Sequence, residues 1–154
     1  MKWRGLIGIL LVCAWPLLAT AQSGKGGSVE QYALRLGDIM TSIQWRHMKL
    51  WFAGKMRNWD LAANEAGLIK AGLVDAAMLY SGIPASNVTT MAASVQSLTG
   101  AIEAKDSGKF AKAFGELTDG CNACHQSMGR GFIVMRVPTE QPFGNQRFTP
   151  AGKP

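Results

Sequence analysis

The sequence is poor in cysteine and in charge, and each shortage excludes a class of protein. Three cysteines among 154 residues are too few for a disulfide-stapled scaffold, and no Gly-X-Y period indicates a fibre. Charged residues make up only 17% of the chain and hydrophobic residues 47%, which excludes a disordered polymer. The length therefore predicts one domain around one core. The 16 basic residues outnumber the 10 acidic ones, which raises the question of nucleic acid or a membrane surface.

The first 21 residues have the pattern of an export signal. Lys2 and Arg4 precede a largely apolar run from Gly5 to Leu18, and Ala19-Thr20-Ala21 supplies the small residues that a signal peptidase requires. The run is shorter than the ~20 residues that span a bilayer as a helix. We therefore expect residues 1–21 to be a cleaved signal peptide and the mature protein to lie in the periplasm, with no stable membrane span.

Removal of the signal changes both the charge and the cysteine count. The mature chain would have 154 − 21 = 133 residues and a net charge of 14 − 10 = +4. Cys13 would leave with the signal, so that only Cys121 and Cys124 remain. Because no basic helix concentrates the remaining charge, we expect no nucleic-acid partner.

Apolar residues recur at three- and four-residue steps through most of the mature chain, as expected for amphipathic helices. The first predicted helix starts near Ser28, which with Gln31 would form a capping box, and stops at Gly54. Three more are predicted over residues 58–80, with Asn58 as the cap, over residues 86–106, and from Lys109 to about residue 129, after a break at residues 107–108.

Four helices with short connectors predict an all-α, up-down-up-down four-helix bundle over residues 22–128. Residues 129–154 are predicted to form an irregular tail, because proline and glycine interrupt them. The tail is basic, since it contains four basic residues and one acidic residue. Within this tail we expect Phe132 to Met135 to pack as an extended segment, and Phe143 and Phe148 to pack in the same way.

The residues that carry chemistry are Cys121-Asn122-Ala123-Cys124-His125, the C-x-x-C-H sequence to which c-type haem is attached. On a helix the two thiols and the imidazole share one face. They are therefore placed to bond to two vinyl groups of one porphyrin and to reach its iron. Two alternatives stay open: a Cys121–Cys124 disulfide, as is usual for an exported pair, and a zinc site that also uses His125 and His47.

A single C-x-x-C-H motif near the end of an exported helical chain resembles the class II cytochromes c, which include cytochrome c′ and its low-spin c-556-type relatives. The resemblance covers about residues 29–125. It implies one covalent haem c, with thioether bonds at Cys121 and Cys124 and His125 as an axial iron ligand. It also places Arg35, early in the first helix, near the haem propionates. The tail beyond the motif departs from the family pattern.

The sixth iron position decides between electron transfer and gas binding. In the resembled family the distal residue comes from the first helix, about one turn after the early arginine, which points to Ile39 or Met40. His47 competes, since it is the only other histidine and shares a helix face with Met40. An open position and a tail ligand such as Met135 remain alternatives. Two turns, about 10.5 Å, separate Met40 from His47, so they would not bind the same iron.

These observations predict a periplasmic monohaem cytochrome that transfers electrons, with no residue acting as general acid, base or nucleophile. The alternative is a gas-binding protein of the cytochrome c′ type, which would bind nitric oxide or carbon monoxide at an open iron. We expect redox partner proteins with acidic surfaces, because the tail carries most of the excess positive charge. Formation of a homodimer is left open.

Overall fold

The described part of the chain is an all-α four-helix bundle, as predicted. The structure, a computed structural model, describes residues 35–152, so the predicted signal peptide and the Ser28 capping box lie outside the described residues. The helices are α1 (Leu36–Lys55), α2 (Trp59–Leu79), α3 (Ala85–Glu103) and α4 (Ser107–Ser127). Each helix packs on the next one and α4 also contacts α1, which closes the bundle. Within the described residues, no helix is long and apolar enough to cross a membrane.

The boundaries of α1 and α4 differ from the predicted ones. The first helix begins at Leu36, because Arg35 is extended with φ −69° and ψ 146°. The predicted break at residues 107–108 is wrong. Ser107 and Gly108 form the first turn of α4, because the Asp106 side chain accepts hydrogen bonds from the amides of Gly108 and Lys109, both at 2.9 Å. An N-cap aspartate therefore begins α4 two residues earlier than the sequence pattern indicated.

Helices α1 and α3 end in the same kind of turn. After α1, Arg57 adopts φ 54°, and the amide of Asn58 donates to the Ala53 carbonyl; after α3, Lys105 adopts φ 51° in an equivalent turn. These are Schellman turns, in which a residue in the left-handed region satisfies the last carbonyls of a helix. The residue that follows each turn then caps the next helix. Asn58, for example, accepts from the Leu61 amide, which confirms its predicted role.

The core lies along the inner stripes of all four helices. Six large side chains are essentially fully buried: Leu50, Ile69, Leu98, Phe110, Phe114 and Leu117. Burial of each contributes about 1.5–3 kcal/mol to the hydrophobic free energy of folding. A part-buried ion pair joins α1 to α2, where Arg46 contacts the buried carboxylate of Glu65 at 3.2 Å.

Close contacts fix α1 antiparallel to α4. Gly54 lies so near the Phe110 ring that an added Cβ would clash with it. Nearer the middle of α1, the His47 and Thr118 side chains are 2.9 Å apart. At the start of α1, Met40 lines the same cleft as Cys124. Gly54 is therefore not the predicted stop: it lies in the last turn of α1, where it permits close approach to α4.

Candidate functional site

The C-x-x-C-H motif occupies the last two turns of α4, as the spacing argument requires. Cys121 and Cys124 are partly buried and are not joined in a disulfide. Burial, together with the neighbouring Cys124, raises the pKa of the Cys121 thiol to about 11, and burial also raises the pKa of Cys124. Both thiols therefore stay protonated at neutral pH, the opposite of the lowered pKa that marks a reactive dithiol.

A mostly apolar cleft opens beside Cys124. Its volume is about 360 Å³, within the range of cofactor and ligand clefts. The lining comes from all four helices and from the connector between α2 and α3. It includes Met40 of α1, Leu73 of α2, Met91 and Val95 of α3 and Cys124 of α4. Of the motif residues, Cys124 therefore lines this mostly apolar cleft.

Asn87 joins the start of α3 to the end of α4 at the edge of the cleft. Its side-chain amide donates to the Ser127 hydroxyl at 2.7 Å and lies 3.5 Å from the Cys124 sulfur. Lys70 is the one charged residue in the lining of the cleft among residues 35–152. Neither residue was a candidate from the sequence, because a single asparagine or lysine on a helix carries no motif.

His125 is oriented by the tail. Its Nδ1 lies 2.8 Å from the Ile133 carbonyl oxygen. Since a carbonyl only accepts hydrogen bonds, Nδ1 carries the proton in the neutral ring, and the lone pair is on Nε2. Within the described residues Nε2 has no hydrogen-bond partner. This is the tautomer in which Nε2 is available to a metal.

His47 lies in a different environment. It is buried, and the Thr118 hydroxyl lies 2.9 Å from its Nε2. That hydroxyl donates its own proton to the Phe114 carbonyl at 2.8 Å, so the His47 Nε2 is the donor of the bond to Thr118. The ring also contacts Phe114, with 4.4 Å between centroids. Burial lowers the pKa of His47 to about 4. The arrangement is that of a packed, neutral core histidine.

The zinc interpretation is wrong for this arrangement. Within residues 35–152, no three His, Cys, Asp or Glu side chains lie close enough together to hold a metal ion. His47 is at the level of Thr118, seven residues before His125, which corresponds to about 10.5 Å along α4. The structure therefore does not bring His47 to the cysteine motif.

Arg35 is not among the residues that line the cleft. It is the N-cap residue of α1, its side chain is 81% exposed, and its Nε lies 3.2 Å from the Asp38 carboxylate. Met40 is partly buried and does line the cleft, while Ile39 lies in the core. Of the candidates on α1, Met40 is therefore the one that the structure places beside the cleft.

The tail folds back along the bundle. Beyond α4, Gly129 adopts φ 67°, and the Asn122 side chain makes two hydrogen bonds to the backbone of Met135. Phe132, Ile133 and Val134 are 77%, 44% and 73% exposed, so the prediction that residues 132–135 pack as an apolar segment is wrong for these three. The prediction for Phe143 and Phe148 is confirmed.

Phe148 is buried against Phe52, and Phe143 contacts Trp45 edge-on with a centroid separation of 5.4 Å. The end of the tail is thus fixed to α1. The other two tryptophans of the bundle pack on α4: Trp51 lies 4.9 Å from Phe114 and Trp59 lies 6.0 Å from Phe110. These tryptophans are packing residues and do not line the cleft.

Comparison with known proteins identifies no relative of this chain. The chain matches no family model, and neither a curated protein nor a solved structure shows significant similarity to it. Assignment of a function therefore rests on the residues and their geometry.

Proposed function

We propose that the protein is a periplasmic monohaem c-type cytochrome that transfers electrons. One observation carries the proposal: a C-x-x-C-H motif at the end of α4 adjoins an apolar cleft, and its histidine is held in the tautomer that leaves Nε2 free. Cys121 and Cys124 would hold the haem covalently and His125 would bind its iron. When bound, the haem supplies a one-electron couple between ferrous and ferric iron.

The chain's own residues would exclude water and set the iron's environment. Leu73, Met91 and Val95 make one side of the cleft apolar. Lys70 is the cation in the cleft lining, so we propose it as the partner of a propionate in place of Arg35, which is paired with Asp38. A low-dielectric surround and a neutralised propionate both act on the reduction potential.

Met40 is the residue that we propose for the sixth position. It lines the same cleft as Cys124, whereas the Nε2 of His47 already donates to Thr118 about two helical turns away. Methionine paired with histidine raises the reduction potential relative to two histidines. As a ligand it would also occupy the position that a gas molecule needs, which favours electron transfer over gas binding.

Attachment is tested by producing the full-length chain together with a cytochrome c maturation system and extracting it with acid-acetone. We expect the haem to remain with the protein. In a variant with both Cys121→Ala and Cys124→Ala, we expect extraction to remove all of it. Complete extraction from the unsubstituted protein would contradict the proposal and would leave an exported helical module.

The sixth ligand is tested by absorption and electron paramagnetic resonance spectra of the purified protein. We expect a low-spin, six-coordinate iron that becomes high-spin in Met40→Ala and stays low-spin in His47→Ala. High-spin, five-coordinate iron in the unsubstituted protein would favour the gas-binding alternative. Loss of the low-spin signal in His47→Ala alone would name His47 as the ligand and contradict the choice of Met40.

The tail arginines bear on the partner. Within residues 35–152, the exposed Arg130, Arg136 and Arg147 take part in none of the ion pairs, and Phe132 and Val134 are exposed among them. Exposed arginines together with exposed apolar side chains favour association with an acidic redox protein. Association that does not weaken with rising ionic strength would contradict this part of the proposal.

A further inference from the structure

Residues 129–135, the strap, return along the last two turns of α4. A Schellman turn at Gly129 reverses the chain: the Arg130 amide donates to the His125 carbonyl at 2.7 Å and the Gly129 amide donates to the Gln126 carbonyl at 3.1 Å. The Ile133 amide then donates to the Arg130 carbonyl at 2.8 Å. These bonds bring the strap alongside the motif.

Two points join the strap to α4 side by side. The Asn122 side-chain amide donates to the Met135 carbonyl at 3.0 Å, and its oxygen accepts from the Met135 amide at 2.7 Å. One turn on along α4, the His125 Nδ1 donates to the Ile133 carbonyl at 2.8 Å. We call the two hydrogen bonds between Asn122 and Met135 the clamp. Asn122 is one of the two variable positions within C-x-x-C-H, so the clamp is part of the motif itself.

Apolar packing does not account for the position of the strap. Phe132 and Val134 point away from the bundle, and Ile133 is 44% exposed. Polar bonds therefore hold the strap, and the pair made by Asn122 fixes both backbone groups of Met135. With Met135 fixed, the carbonyl of Ile133, two residues earlier, is held at the imidazole.

We propose that Asn122 is a positioning residue for His125 and that it acts through the strap. It fixes Met135, which holds the Ile133 carbonyl against Nδ1, and this bond sets both the tautomer and the orientation of the ring. When a histidine binds a metal through one ring nitrogen, a hydrogen bond donated by its other ring nitrogen raises the basicity of the ligand. It thereby stabilises the higher oxidation state of the metal. The redox consequence rests on the proposed function, whereas the clamp itself does not.

The test compares Asn122→Ala with Asn145→Ala in the full-length protein. Asn145 is an exposed asparagine of the tail and is the matched control. We expect Asn122→Ala to speed amide hydrogen exchange at Met135 about tenfold, as for loss of one net hydrogen bond. We also expect it to raise the equilibrium constant for iron reduction about tenfold, which is about 59 mV for a one-electron couple. Asn145→Ala should change neither.

Asn122→Asp separates the clamp from the fold. Aspartate keeps the acceptor for the Met135 amide but loses the donor to its carbonyl, so exchange at Met135 should fall between the unsubstituted protein and Asn122→Ala. The added negative charge lowers the reduction potential by itself, so the potential is compared for Asn122→Ala alone. Unchanged exchange at Met135 in Asn122→Ala would refute the clamp. Faster exchange with an unchanged potential would refute the positioning of His125. Protein without covalent haem would contradict the proposed function, and the exchange measurement would still decide the clamp.

Discussion

The two histidines of the chain lie in regions that are built in opposite ways. Around His47 the bundle buries the ring, packs it at a tilt against Phe114 and uses its Nε2 as a donor to Thr118. Around His125 the ring lies at the end of a helix, and the tail uses Nδ1. The nitrogen that the protein engages therefore decides the role of each ring. Engagement of Nε2 within the core makes a packing residue, and engagement of Nδ1 by a carbonyl leaves a potential metal ligand.

Acidification should break the His47 region first. The ring takes up a proton near pH 6.5 in the unfolded chain and near pH 4 in the folded one, so the unfolded state binds more protons between these values. The contribution of the neutral His47 ring to the free energy of unfolding is fully present above pH 6.5. This free energy falls by about 3 kcal/mol as the pH drops to about 4. Urea unfolding over this range measures the loss. His47→Gln should remove this part of the pH dependence, and an unchanged slope in that variant would assign it to other groups.

The His47 region also depends on the close approach of α1 and α4. Gly54→Ala places a methyl group against the buried Phe110 ring, so we expect a loss of about 2 kcal/mol in unfolding free energy. Gly67→Ala on α2 is the control, because a Cβ there meets nothing within 4 Å and should stabilise the helix by about 0.5–1 kcal/mol. Thermal or urea unfolding measures both. Equal stability of the two variants would mean that the helices separate without cost at Gly54.

Thr118→Val tests the internal partner of His47. Valine keeps the shape of threonine but leaves the buried Nε2 donor without its acceptor, which should cost about 1.5 kcal/mol of unfolding free energy. Thr118→Ser keeps the hydroxyl and is the control for the missing bond. If the protein carries the proposed haem, its absorption spectrum should be the same in both variants. A spectral change confined to Thr118→Val would place His47 in contact with the iron.

Gly129→Ala acts on the His125 region, because Gly129 begins the strap. With φ 67° at this position, alanine adds strain of about 1 kcal/mol, whereas Gly144→Ala, at an exposed glycine without positive φ, should be nearly neutral. We expect faster amide exchange at Met135 in Gly129→Ala and no change in the pH dependence assigned to His47. Unchanged exchange would show that the strap holds its position without the Schellman turn.

The sequence predicted the four helices because the apolar stripes have the helical period throughout. It misplaced boundaries where capping competes with composition. Ser107 and Gly108 look like a break, but Asp106 caps α4 in front of them and Lys105 takes the left-handed turn that a glycine would usually occupy. The sequence therefore contains no glycine that would have predicted the Schellman turn after α3.

The candidate site divides in the same way. The motif is local, so its position on α4 followed directly from its spacing. The structure places Met40 near Cys124 and His47 next to Thr118. These placements depend on the register of α1 on α4, which brings together residues more than seventy positions apart in the sequence. The Ile133 carbonyl escaped detection altogether, since a backbone oxygen carries no residue-type signal.

The position of the strap has a consequence for the order of assembly. The Ile133 carbonyl lies eight residues beyond His125, and it reaches Nδ1 only because the chain reverses at Gly129. Until that turn forms, the imidazole lacks this acceptor, so the bond that sets its tautomer and orientation is missing. The ring is therefore fixed only when the tail folds back on α4, after the helix that carries the motif has formed.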